Sequence, residues 1–246
     1  MSAMTQHYNW RTENVRFSFL GCTDEAAKAV SWEKMTGESP ESTTQKKQLG
    51  TRHEEGDWQG RKLVVASQPG RIDVVLAPIN NDAIHNEPPH MDKLPPSLEI
   101  LRKCILNLKL PASSRLAVSA QVHIPLNDSK EAAEVLGALG VSSTLNPKWT
   151  DVVYQYNDPC KLKGGIEFNR IFKWTQIRAQ FVQFAVTADG QQIGAAPQIT
   201  NKWLLQLELD FNTAPHAQLP HQDSHPRIVS EMFDLLLKSS DPQRKS

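Results

Sequence analysis

Three well-separated stretches of this chain alternate apolar and polar side chains with a period of two. The longest places Trp203, Leu205, Leu207, Leu209 and Phe211 against Gln206, Glu208, Asp210 and Asn212. A second runs through Val118, Ala120, Val122, Ile124 and Leu126, and a shorter one alternates Val15, Phe17 and Phe19 with Arg16 and Ser18. Successive side chains of a strand point to opposite faces, so each stretch offers one apolar and one polar row. Such rows suit a sheet with one covered and one wet face, usually antiparallel.

Helical spacing separates these strands. Asp24 opens a stretch through Ala26, Ala27, Val30 and Met35 that Gly37 and Pro40 close. Leu98, Leu101, Ile105 and Leu108 mark an amphipathic helix that stops before Pro111. Asp128 followed by Glu131 resembles a capping box and starts a helix carrying Ala132, Val135, Leu136 and Leu139. A last helix runs through Ile228, Val229, Met232, Phe233, Leu236 and Leu237. Residues 36–60 are polar and read as a loop, with a short strand near Leu49. Leu63–Ser67 and Ile72–Leu76 form a hairpin across Gln68-Pro69-Gly70-Arg71, because Pro presets φ and Gly tolerates a positive φ. Asp151–Tyr156 reads as a strand. From Phe168 to Val186 the apolar phase changes, from Phe168, Phe172 and Trp174 to Ile177 and Phe181, which predicts a bulge or sharp bend.

The order of elements recurs. Residues 15–36 and 118–140 both read strand, Asp-bearing cap and helix, with Glu25-Ala26-Ala27 in one and Glu131-Ala132-Ala133 in the other. Ala77-Pro78 and Ala214-Pro215 each follow a strand and precede a His-bearing loop and an apolar helix. The expected fold is therefore α+β: two related halves, residues 1–112 and 113–246, each a mostly antiparallel sheet with helices packed on one face. Whether the halves share one sheet is left open by the pattern. The strand Leu207-Glu208-Leu209-Asp210-Phe211-Asn212-Thr213, with Asn169-Arg170 and Lys173-Trp174 before it, resembles an uncharacterised, sporadically distributed family of bacterial two-part α+β proteins. That resemblance implies a bacterial or phage-related source and carries no known active site.

Charge and cysteine usage narrow the function classes. The 27 basic side chains balance 27 acidic ones, so there is no overall field toward nucleic acid or an anionic membrane. Cys22, Cys104 and Cys160 are isolated, which fits a reducing cytoplasm better than a disulfide framework. No signal-like stretch opens the chain, where Arg11, Glu13 and Arg16 interrupt it, and no apolar run reaches the roughly twenty residues of a membrane span.

Three constellations carry possible chemistry. Glu208 and Asp210 project from one strand face about 7 Å apart and, with His216, His221 and His225 downstream, would suit a metal-dependent hydrolase or nuclease. His85, His90 and Asp92 form a looser set of the same kind. Lys161, Lys163, Arg170, Lys173 and Arg178, interleaved with Phe168, Phe172 and Trp174, would suit nucleic-acid binding by phosphate contacts and base stacking. Each has a plainer explanation: a solvated loop, the wet face of a strand, and core aromatics. No Walker, dinucleotide-binding or nucleophile-elbow signature occurs, and no base sits at readable spacing from Ser113-Ser114 or Ser142-Ser143. The favoured reading is a non-enzymatic interaction or scaffold protein, an accessory subunit of a bacterial or phage-related complex. It needs no cofactor, and it meets a protein partner or a second copy through strand edges and the exposed Pro/His loops.

Overall fold

Alternation decides which side of each strand is buried, and in the computed structural model the buried rows of every long strand fall on one side of one sheet. The structure describes residues 8–79, 88–91, 93–141, 145–146, 148–183 and 198–240. The strands are β1 (Arg11–Cys22), β2 (Ser42–Lys46), β3 (Thr51–Trp58), β4 (Arg61–Gln68), β5 (Gly70–Ala77), β6 (Arg115–Leu126), β7 (Val153–Asn157), β8 (Cys160–Lys161), β9 (Glu167–Gln183) and β10 (Gln198–Thr213). The helices are α1 (Asp24–Ala27), α2 (Trp32–Thr36), α3 (Leu94–Leu106), α4 (Glu131–Ala138) and α5 (His225–Ser239).

All ten strands join a single sheet in the order β2-β3-β4-β5-β1-β6-β10-β9-β7, with β8 beside the start of β9. Every neighbouring pair is antiparallel. This corrects the expectation of two α+β halves with a sheet each: the protein is a β-rich fold built on one large sheet. The join is the β1–β6 ladder, in which Val15 faces Ala120, Phe17 faces Val118 and Phe19 faces Leu116. Alternation specifies the face a side chain takes but not the neighbour a strand chooses, so the pattern alone did not reveal the junction. From this central pair the chain winds the same way on both sides. After β1 it crosses to the edge strand β2 and steps back through β3 and β4 to β5; after β6 it crosses to β7 and returns through β9 to β10.

The covered face carries Val15, Phe17 and Phe19 of β1, Leu116, Val118, Ala120 and Val122 of β6, and Leu205, Leu207, Leu209 and Phe211 of β10, all essentially solvent-free. Helices α3 and α5 lie across these rows. Phe17 stacks on Phe233 of α5 with ring centroids 5.8 Å apart and 9° between planes. Burial of each such ring contributes about 1.5–3 kcal/mol. Toward one edge, the Trp32 backbone N–H of α2 donates to Glu54 of β3 at 2.8 Å. Toward the other, Gln176 of β9 donates to the Ser129 carbonyl just before α4 at 2.6 Å. The opposite face shows Val64, Val75, Arg16, Ser119, Asp210 and Ile171 in a row across the strands. Among the described residues no helix packs on it.

Local expectations fare unevenly. The β4–β5 turn forms across Pro69-Gly70, with Gln68 paired to Arg71 and Gly70 at φ +76°. The stretch after Asp24 forms two short helices instead of one, and the polar region after Thr36 holds two strands, β2 and β3. No bulge interrupts β9. Its ladder with β10 runs without a shift from Phe168–Thr213 to Gln183–Gln198. Ile177 is apolar at an odd position because it faces Leu204 on the helix-free side, so the phase change marks a change of burial face and not a kink in the chain. The bulges lie in β1, at Thr12/Asn14 and at Leu20/Cys22.

Candidate functional site

The outer edge of β7 is where the sheet ends in exposed, uncharged, aromatic sequence. The Val152 carbonyl accepts from the Gln176 N–H at 2.9 Å, and the Asp158 N–H donates to the Arg170 carbonyl at 2.9 Å. Backbone groups alternate in direction along a strand, so the even positions of β7 face β9 while Val153, Gln155 and Asn157 aim their N–H and C=O groups outward. The sequence here, Val153-Tyr154-Gln155-Tyr156-Asn157, has no charge and no proline. Edge strands are commonly blunted by such residues, and β2 at the far edge does carry Lys46. Val153 is 60% exposed and Trp149, just before the strand, 54%. Tyr156 stacks on Phe172 (4.9 Å, 13°), which meets Phe211 edge-on at 5.5 Å, so an aromatic ladder braces the edge against the core. Burial first, then the Asp158 carboxylate and Tyr154, push the Tyr156 hydroxyl up, with Arg170 opposing, so it stays a neutral donor at physiological pH.

The carboxylates and histidines singled out in the sequence do not share a site. Glu208 lies on the helix-free face of β10, where its Oε2 is 3.5 Å from Lys173 Nζ, and Asp210 on the same face accepts from Asn212 Nδ2 at 3.1 Å. His216 pairs with Glu167, and exposed His221 lies 3.1 Å from Asp223. His225 is buried at the start of α5 on the other side of the sheet. Among the described residues no group of three or more His, Cys, Asp or Glu side chains could hold a metal ion. His85 and Asp92 lie outside the described residues; His90 bonds the Pro88 carbonyl through Nδ1 at 3.2 Å.

The basic-aromatic stretch is divided in the same way. Lys173 takes an odd position on the helix-free side, whereas Arg170 and Arg178 share the even row with Phe172 and Trp174. Arg170 is tied to Asp158, and Arg178 sits over the Trp203 ring at 5.8 Å. Lys161 lies exposed on β8, and the backbone of Lys163 is held by Glu231 and Arg227 of α5. Of the aromatics among them, Phe168 and Trp174 are buried in the core and Phe172 is partly buried against it.

One buried polar link was not legible in the sequence. Glu13, the extra residue of the β1 bulge, accepts from His123 Nδ1 at 2.9 Å and from Gln206 Nε2 at 3.0 Å, joining β1, β6 and β10. His123 is fully buried, and its Nε2 has no partner among the described residues. The Glu13 carboxylate fixes the orientation of the buried imidazole, and the link ties three strands together. Its members lie 110 and 193 residues apart, with no local spacing to announce them.

Cysteine chemistry is equally quiet. Burial pushes the Cys104 thiol up to about 12, and burial also raises Cys22 and Cys160, so none is poised as a thiolate. Among the described residues no helix is long and apolar enough to cross a membrane. No protein-family model matches the chain, and no curated protein matches it.

Proposed function

We propose that the chain is a non-enzymatic interaction protein, an accessory subunit of a bacterial or phage-related complex, working in the cytoplasm and engaging its protein partner through the outer edge of β7. The observation that carries this reading is the row of outward N–H and C=O groups on Val153, Gln155 and Asn157, flanked by exposed Trp149 and Val153 and bare of protective charge. An extended partner segment added there would satisfy backbone groups that have no partner among the described residues and cover the apolar side chains in one step. Three uncoupled thiols suit the reducing compartment. Glu208 bound to Lys173, with the histidine loop elsewhere, leaves the hydrolase reading without a geometry of its own.

The test is Gln155→Pro. Its N–H points away from β9, so proline removes an outward donor and blocks an added strand while sparing the β7–β9 ladder. Wild-type protein should retain a partner from the native host, or self-associate in sedimentation, and Gln155→Pro should lose that association with its melting temperature unchanged. Association that is absent in the wild type, or equal in both proteins, rejects the proposal.

A further inference from the structure

Granted that β7 is the engaged edge, the strand itself specifies a partner. Every residue of β7 except Tyr154 is exposed, so the strand is uncovered, and among the described residues no strand pairs with its outer side. Val153, Gln155 and Asn157, which carry the outward groups, are spaced evenly about Gln155. A strand with this spacing can pair with its own copy. Under a two-fold axis through Gln155, Val153 faces the partner's Asn157, Gln155 faces the partner's Gln155, and Asn157 faces the partner's Val153. Antiparallel residues that face each other through outward groups exchange both N–H···O bonds, so all three pairs are bonded. Any other register leaves at least one outward residue of the strand unpaired.

The side chains agree with this register. Tyr154 falls opposite the partner's Tyr156 at a non-hydrogen-bonded position, where facing side chains come closest and aromatic pairs add stability. Tyr156 already stacks on Phe172, and the Tyr154 and Tyr156 rings of one chain lie 5.9 Å apart, so the aromatic ladders of two copies would meet at the axis. No charge opposes the contact: β7 holds none, and the 27 basic and 27 acidic side chains of the chain balance. Asn157 does not block it, since its side chain is turned back to Asn169 and the Arg170 N–H. The far edge is a poorer match. There β2 reads Ser42-Thr43-Thr44-Gln45-Lys46, with no aromatic side chain to meet the tyrosines. Joining β2 to β7 would also build an open filament, whereas β7 on β7 closes.

Resting on that edge reading, we infer that β7 is a two-fold contact for a second copy of this chain, with Gln155 on the axis. The two ten-stranded sheets would become one, with both helix layers on the same side. Five residues a side bury much less than the roughly 800 Å² per partner of a standard interface, so the dimer is weak and forms with concentration.

Sedimentation velocity on the full chain tests this. Wild-type protein should show a monomer–dimer equilibrium, and Gln155→Pro should be monomeric. Gln155→Lys sets like charges face to face on the axis and should weaken association about fivefold, the usual scale for such a pair across two strands. Gln155→Glu mixed with Gln155→Lys sets opposite charges there, and the mixture should associate more tightly than either variant alone. Lys173 lies beside Gln155 in the β7–β9 ladder in every variant, so the mixture against its components is the deciding comparison. Because Gln155 is exposed, the charge variants test the contact even if Gln155→Pro impairs folding. A wild-type chain still monomeric at about 0.5 mM, far above the micromolar range of specific interfaces, overturns the second copy as partner. The edge is then judged separately, by capture of a host protein that Gln155→Pro loses. A dimer that survives Gln155→Pro overturns both readings. A mixture no tighter than its components overturns the two-fold register and the inference with it.

Discussion

At Gly21 the chain has φ +67°, and a Cβ added there would lie 1.9 Å from Ser114 Oγ. The contact is built in: Ser114 returns over the end of β1 and its N–H donates to the Leu20 carbonyl at 2.9 Å. Gly21→Ala therefore meets two penalties, left-handed backbone strain of about 1–2 kcal/mol and a steric clash. Chemical denaturation should show a loss of about 2 kcal/mol or more, and adding Ser114→Gly should recover the steric share alone, leaving about 1 kcal/mol. His225 supplies a different kind of residue-scale test. Burial lowers its pKa below the ordinary 6.5, although the Pro220 and Pro111 carbonyls oppose this. In the unfolded chain the ring takes a proton as pH falls past 6.5, while in the folded protein it resists. Stability from His225 is thus complete above pH 6.5 and is lost as pH falls through the lowered folded-state value. Thermal melts from pH 7.5 to 5 should show this decline, and His225→Gln should make it shallower; an unchanged slope would contradict the assignment.

At the scale of single elements, what could be read in advance depended on whether the signal was local. The start of α4 was legible, since Asp128 Oδ1 accepts from the N–H groups of Lys130 and Glu131 while Glu131 Oε2 accepts from the Asn127 N–H. Four residues between Asn127 and Glu131 hold that information, and Asp128→Ala should cost about 1 kcal/mol in urea unfolding, the usual worth of an N-terminal cap. The Pro69-Gly70 turn was legible for the same reason. The supposed bulge in β9 was misread because a change of apolar parity has two causes, an inserted residue or a change in which face is buried, and only the neighbouring strand distinguishes them. Leu204, opposite Ile177 and 2% exposed, supplies the second cause. The real bulge at Thr12/Asn14 leaves no parity mark, because Glu13 is polar and the strand's apolar row starts only at Val15. The β7 edge lay between these cases: Val153, Tyr154 and Tyr156 are apolar on both parities, which signals a strand without a settled wet face, but nothing local says that its outer side is unpaired.

The whole molecule is decided by contacts the sequence does not display, those that cross residue 112. Besides the β1–β6 ladder, Phe17 of the first half stacks on Phe233 of the second, and Arg102 of α3 reaches Asp234 of α5 at 2.8 Å. The Glu13 link to His123 and Gln206 adds a buried polar tie across the same seam. Cutting there would uncover two twelve-residue strands, β1 and β6, and strip Phe17 of its stacking partner. An uncovered long strand with an apolar face invites non-native pairing, and the cut also parts α3 from α5, which pack against each other over the seam. Unfolding of the intact chain in urea should therefore be a single transition, with tryptophan fluorescence and far-ultraviolet circular dichroism coincident. Fragments 1–112 and 113–246 expressed apart should each lack cooperative melting and regain it when co-expressed. A cooperative transition in either fragment alone would mean that the seam is an interface between two independent bodies, and that the covered face is not one shared core.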